Sequence, residues 1–184
     1  MGKFSDVLLT VDYDRTLTAP DSSIPERNLE AIRYFMENDG AFTVNTGRSV
    51  PMIQVFRDRV PVNAPLLLYN GSAAYDLATE KLLFCHEIQL DMWQTVQECM
   101  TLFPDLTVEV QGLDAHYRFT ENPAWDAFSD HNQCAHGLAR PGDDLGPFLK
   151  FTLYGEFRDV TVASMFDGTP EEVRRMDDAE AQLK

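Results

Sequence analysis

The 184 residues suffice for one large domain or for a small core with an accessory domain, and a 44% hydrophobic content with twelve Phe supports a packed interior and excludes global disorder. Thirty Asp and Glu stand against fifteen Lys and Arg, a formal net charge of −15 that repels nucleic acid and anionic lipid; a phosphorylated substrate would be repelled too unless a metal, backbone N–H groups or a few cations compensate locally. Cys85, Cys99 and Cys134 are widely spaced with no CxxC pair, the amino-terminal apolar run is too short for a signal peptide, and no segment reaches transmembrane length, so the expectation is a cytoplasmic protein with no membrane partner, disulfide framework or zinc ribbon.

Val7-Leu-Leu-Thr-Val11 is a short apolar run that suits a strand buried on both faces, and Asp12-Tyr-Asp14 would stand at its carboxyl edge. After a turn-rich stretch a helix is expected, with Pro25 at its first position, Glu26 at the positive end of its dipole, Leu29, Ile32 and Phe35 as its apolar stripe and Gly40 closing it. Phe42-Thr-Val-Asn-Thr46 reads as a second strand, residues 51–59 as a second helix, and Pro65-Leu-Leu-Leu-Tyr69 as a third strand stopped by Asn70-Gly71. Strand, helix, strand, helix, strand at this spacing predicts a doubly wound α/β sheet, which residues 73–75 and 81–88 leave as a hairpin.

From Asp91 the texture changes. A helix capped by Asp91 runs to about Phe103, residues 106–110 and 116–119 read as strands, and 123–129 as a short helix. Residues 148–154 and 160–163 read as two further strands, and Thr169-Pro-Glu-Glu172 begins a final helix as a capping box. The division expected is therefore a core segment of residues 1–88 and a mixed α/β module of residues 89–184.

The residues that carry chemistry stand at the ends of the apolar runs. Two carboxylates two residues apart at a strand terminus, Asp12 and Asp14, repel each other unless a cation offsets the charge; Mg²⁺ does so with one carboxylate and one backbone carbonyl as ligands. The first carboxylate can then attack phosphorus, while the second protonates the leaving alcohol and later deprotonates water. His131, Cys134 and His136 lie close together, but their spacing matches no standard zinc pattern, and Trp93, Phe103 and the Met residues at helical spacing read as core of the second module.

Leu8-Leu-Thr-Val-Asp12-Tyr-Asp14-Arg-Thr16-Leu17 resembles the first motif of haloacid-dehalogenase-type (HAD) phosphatases, and Val44-Asn-Thr46-Gly47-Arg48 resembles the second. Leu67-Leu-Tyr-Asn70-Gly71 looks like the Asn-Gly edge of the Cof-like branch, whose members mostly hydrolyse sugar phosphates and which places an α/β cap after its third core strand. The resemblance spans residues 6–76 and implies a partial HAD-like core with an inserted mixed α/β cap. It also implies Asp12 as nucleophile and Mg²⁺ ligand, Asp14 as acid/base giving its carbonyl to the metal, and Thr46 and the Gly47 backbone as phosphoryl contacts. Arg48 is either a further phosphate contact or a surface arginine at a helix start, and Asn70 either faces the substrate or shapes the turn.

Two departures from the family pattern are visible. Arg15 stands where the family usually has Gly. The family's third motif, a Lys that pairs with nucleophile and phosphate, and its fourth, a Gly-Asp pair with a further Asp, should follow the cap. Lys150, in Phe148-Leu-Lys-Phe-Thr152, falls in an expected cap strand, and Gly142-Asp143-Asp144 follows no buried strand, so neither reads as a substitute.

The residues support functions of two classes. One is a Mg²⁺-dependent phosphatase of small phosphorylated metabolites working through a phospho-aspartate at Asp12. The other is a truncated or degenerate relative, or a piece of a longer chain, that binds phosphate and turns over poorly, since losing one electrostatic partner costs about 100-fold or more in rate. A half-core also leaves residues 7–11 and 42–46 partly unpaired, and exposed edges of that sort make dimerisation or a partner the expectation.

Overall fold

Residues 2–55 and 57–155 are described by the computed structural model of the chain. The amino-terminal half builds a five-stranded sheet in the order β1 (Leu8–Asp12), β2 (Ala41–Asn45), β3 (Leu66–Leu68), β4 (Ala73–Asp76), β5 (Lys81–Cys85). The first three strands are parallel, with Leu8 opposite Ala41 through Asp12 opposite Asn45, and Asn45 opposite Leu67. The last two are antiparallel. Parallel pairing aligns the carboxyl ends of β1, β2 and β3 along one edge, which is where loops of such sheets carry function.

Helix α1 (Glu26–Glu37) makes the crossover from β1 to β2. Pro25 is its cap rather than its first residue, with φ −58° already set for helix entry. Ile32 is buried, and Phe35 and Met36 pack against the sheet's apolar cluster around Phe42, Val44, Leu66, Leu68 and Tyr69. After Asp39, at φ 66°, Gly40 is obligatory for a steric reason: a Cβ there would lie 2.4 Å from the Phe35 ring.

Two expectations fail here. β1 is not buried on both faces: Val7, Leu8 and Leu9 are 46%, 62% and 41% exposed, because among the described residues no strand lies on its outer side. β2, by contrast, is flanked by β1 and β3 and buries Phe42, Thr43 and Val44, so its expected partial unpairing is not found. The expected helix over 51–59 is a single 3₁₀ segment, Val50–Val55; Pro61 disfavours helical geometry at Val60 and shortens the room for a longer one.

The second sheet has the order β8 (His136–Leu138), β7 (His116–Arg118), β6 (Thr107–Gly112), β9 (Phe148–Tyr154), and its strands pair only with one another. β6 is antiparallel to β7 and β9, and β7 is parallel to β8, with helix α3 (Pro123–His131) between them. Helix α2 (Met92–Leu102) starts where the Asp91 carboxylate accepts the Gln94 N–H at 2.9 Å, and α3 where the Asn122 side chain accepts the Trp125 N–H at 3.1 Å. Val96 of α2 packs on Val108, Val110 and Phe148, with Phe119 and Met100 beside them and Trp93 edge-on to Phe119. Strand β8, a short His-Gly-Leu, has no apolar signature and was not expected from the sequence. The expected strand at 160–163 and the helix from Thr169 lie outside the described residues. Among the described residues, no helix is long and apolar enough to cross a membrane.

Candidate active site

Asp12 is the last residue of β1 and is exposed at the carboxyl edge of the sheet. The chain then folds into a tight turn, Tyr13–Leu17, anchored by the buried side chains of Tyr13 and Leu17. It closes where the Thr18 N–H and hydroxyl donate to the Tyr13 carbonyl at 3.0 and 3.2 Å, and the Arg15 N–H donates to the Thr18 hydroxyl at 3.1 Å. Arg15 takes φ 62°, the left-handed region that favours glycine. The departure from the family residue is thus a strained one, at a cost of about 1–2 kcal/mol for an L-residue.

One strand over, Thr46 follows Asn45, the register partner of Asp12. Its N–H donates to the Leu67 carbonyl and its carbonyl accepts the Asn70 N–H, while the Tyr69 N–H reaches the Arg48 carbonyl, so the ends of β2 and β3 are stapled together. Tyr69 and Asn70 both have positive φ, 52° and 58°, and Asn70 is exposed. A Cβ on Gly47 would fall 2.7 Å from the Asn70 side-chain oxygen, so a larger residue there would have to displace the Asn70 side chain. With its left-handed backbone and its N–H on the Thr46 carbonyl, Asn70 shapes the turn.

Arg48 joins the two motifs. Its backbone N–H donates to the Thr46 hydroxyl at 3.2 Å, and its guanidinium grips both oxygens of Asp14, Nε to Oδ2 at 2.9 Å and Nη2 to Oδ1 at 2.8 Å. The side chain is only 11% exposed and stands 5.3 Å from the centre of the Tyr13 ring, so it is no surface arginine. Burial raises the Tyr13 pKa, opposed by Arg59 and Arg48.

The second sheet sits directly on this turn. Lys150 of β9 donates from Nζ to the Gly47 carbonyl at 3.1 Å, Arg48 Nη1 reaches Asn132 Oδ1 at 3.2 Å, Ser49 Oγ pairs with His116 Nε2 at 2.7 Å, and the Tyr69 hydroxyl donates to the Gly112 carbonyl at 2.7 Å. Behind His116, Nδ1 lies 3.3 Å from the Glu109 carboxylate, which also accepts Trp125 Nε1 at 2.5 Å and the Gln111 amide. Burial alone would raise the Glu109 pKa, but the His116, Gln111 and Trp125 contacts outweigh it and hold the carboxyl below its ordinary value. Burial lowers the Lys150 pKa, with Glu109 opposing.

The expectation about Lys150 is thus half right: it lies in a strand of the second sheet, yet its amine reaches the Thr46–Gly47 turn. Ser49, Glu109, Gln111 and His116 gave no such signal in the sequence, because the alternation Thr-Val-Glu-Val-Gln reads as a strand with one wet face. Gly142-Asp143-Asp144 is a surface turn in which Asp143 accepts the Arg140 N–H at 2.8 Å. His136 is taken up by Asp126 and Asp130, and burial pushes the Cys134 thiol up to about 12.

Among the described residues no group of three or more His, Cys, Asp or Glu gathers to hold a metal. Asp12 is exposed at the sheet edge, and the two donors that the resemblance implies, its carboxylate and the Asp14 backbone carbonyl, are hard oxygens of the kind a cation that keeps most of its waters, such as Mg²⁺, would take.

A family model described as haloacid dehalogenase-like hydrolase matches residues 9–143. No curated protein matches the sequence. Among solved structures, a haloacid dehalogenase-like hydrolase from B. subtilis aligns at a TM-score of 0.63 and 14% identity over 83% of this chain and 62% of its own. One from Bacteroides thetaiotaomicron aligns at 0.61 and 18%, over 79% and 56%. A HAD subclass IIB sugar phosphatase aligns at 0.57 and 15%, over 72% and 52%. At these identities the likeness is one of fold, and the chain spans between about half and three fifths of these structures.

Proposed function

The chain belongs to the haloacid dehalogenase-like hydrolase family, and from that premise we propose that it is a Mg²⁺-dependent cytoplasmic phosphomonoesterase of small phosphorylated metabolites, sugar phosphates first among them. Residues 1–88 supply the reacting groups and residues from 89 onward act as the cap. In this reading an Asp12 oxygen attacks phosphorus, the P–O bond to the leaving group breaks, and Asp14 gives the departing oxygen its proton. Asp14 then takes a proton from the water that attacks the phospho-aspartate, releasing inorganic phosphate and restoring the Asp12 carboxylate. Bound at Asp12 and the Asp14 carbonyl, Mg²⁺ would neutralise charge on the phosphoryl oxygens. Thr46 and the Gly47 backbone orient that group.

The observation that carries the proposal is the Arg48 bridge, which ties the Thr46 hydroxyl to the Asp14 carboxylate across two strand ends. Each oxygen of Asp14 accepts one Arg48 N–H in this arrangement, so Arg48 competes with the leaving group for the carboxylate and its release favours proton exchange. A phosphate dianion is the natural competitor for a forked guanidinium. Substrate binding would draw Arg48 from Asp14 and free the acid/base in the same event.

The test is hydrolysis of an aryl phosphate with saturating Mg²⁺. Asp12→Asn should lower turnover by about 100-fold or more; turnover indifferent to Asp12→Asn refutes the phosphatase reading. A second reading, phosphate binding with little turnover, is favoured by the same bidentate capture of Asp14. It predicts wild-type rates already at the Asp12→Asn level while inorganic phosphate still binds.

A further inference from the structure

Gln111 and Lys150 are register partners in the β6–β9 pair and therefore project from the same face of the second sheet. That face meets the core: the Lys150 ammonium donates to the Gly47 carbonyl, and a Cβ on Gly47 would lie 3.5 Å from its nitrogen. An ammonium has three protons to give, and among the described residues the Gly47 carbonyl is the acceptor seen. On a chain of net charge −15, a cation placed against the turn that begins at Thr46 supplies the local compensation an anionic substrate needs.

Gln111 is 3% exposed, and its amide nitrogen donates to Glu109 and, at 3.4 Å, to the Thr152 hydroxyl. The carboxylate of Glu109 fixes the amide orientation, since the flipped rotamer would set oxygen against oxygen. The Gln111 side-chain oxygen is then a buried acceptor with no hydrogen-bond partner among the described residues. Native proteins rarely keep such an atom, and one beside a half-buried cation at a candidate site points to a donor that arrives with a ligand.

We infer that Lys150 and Gln111 are substrate contacts supplied by the cap: Lys150 takes an oxygen of the phosphoryl group, and Gln111 accepts a hydrogen bond from a hydroxyl of the leaving group. The inference rests on the phosphomonoesterase reading and adds a selection rule to it. Phosphate esters of polyols are held by both residues, whereas esters without a hydroxyl are held by Lys150 alone.

The experiment is calorimetric titration in saturating Mg²⁺ of inorganic phosphate, glycerol 1-phosphate and phenyl phosphate, in the Asp12→Asn background so that nothing turns over. Lys150→Met should weaken all three by about 10-fold or more, and Lys150→Arg should stay within about 3-fold of the parent. Gln111→Leu should weaken glycerol 1-phosphate by about 10-fold and leave the other two unchanged. Unweakened binding by Lys150→Met, or an equal effect of Gln111→Leu on all three ligands, overturns the inference while Asp12-dependent hydrolysis leaves the phosphatase reading standing. A parent that binds none of the three overturns it as well, and hydrolysis then judges the phosphatase reading separately. Should thermal unfolding show Lys150→Met to be misfolded, the Lys150→Arg result and the ligand split of Gln111→Leu decide.

Discussion

Strands β1 and β6 invert what their sequences advertise. Leu-Leu-Thr-Val-Asp in β1 reads as core and is exposed along most of its length, whereas Thr-Val-Glu-Val-Gln-Gly in β6 reads as half wet and is buried at every position. β1 is a sheet edge with nothing described beyond it; β6 is covered by α2 on its apolar face and by α3 and the Ser49–Val50 turn on its polar one. Burial is thus set by what a strand is packed against, and hydropathy only says what that burial costs. For β6 the cost is offset by a connected polar network, Glu109 with His116, Gln111 and Trp125, and His116 with Ser49.

That contrast can be broken most severely at Glu109. Glu109→Ala should destabilise the fold by about 3 kcal/mol or more in a denaturant titration, because it strands three buried donors at once. The same network has a pH signature: the Glu109 carboxyl lies below its ordinary 4.5, so its contribution is complete above about that pH and is lost as pH falls through the lower folded value. Wild type should therefore lose stability in acid more steeply than Glu109→Gln, followed by thermal unfolding from pH 6 to 3.

Apolar truncations on the two strands give the direct comparison. Val110→Ala, at a fully buried position of β6, should cost about 2 kcal/mol, while Leu8→Ala on exposed β1 should stay within about 0.5 kcal/mol. Equal costs would mean that β1 is covered in solution. We propose that a second copy of the chain can cover it, in which case Leu8→Lys should shift the protein toward monomer in sedimentation.

Ser49→Ala tests the seam between the sheets. It leaves His116 Nε2 without its partner at a position where Ser49 is 0% and His116 3% exposed, and a loss of about 1–2 kcal/mol is expected. The smallest effect is a gain: Arg15→Gly relieves the φ 62° strain and should raise stability by about 0.5–1 kcal/mol, less than the full strain because glycine also loosens the unfolded chain.

The sequence by itself determined the three parallel strands, the crossover helix, the helix capped by Asp91, the short helix that begins at Pro123, and the placement of Asp12 and Thr46 at neighbouring strand ends. These follow from strand period, capping chemistry and covalent spacing, all of which act within about a dozen residues. That Arg48 would reach Asp14, 34 residues away, was decided by how the turns after β1 and β2 fold against each other, and that Lys150 would meet Gly47, 103 residues away, by how the second sheet settles on the turn after β2. A lysine or glutamine in an alternating strand carries no mark of which surface will cover it. Lys150 was therefore read as a strand residue of the second module and no substitute for the family's lysine, Gln111 drew no reading at all, and Leu8 was taken for core, since partners so distant along the chain are chosen by packing and leave no local pattern in the residues themselves.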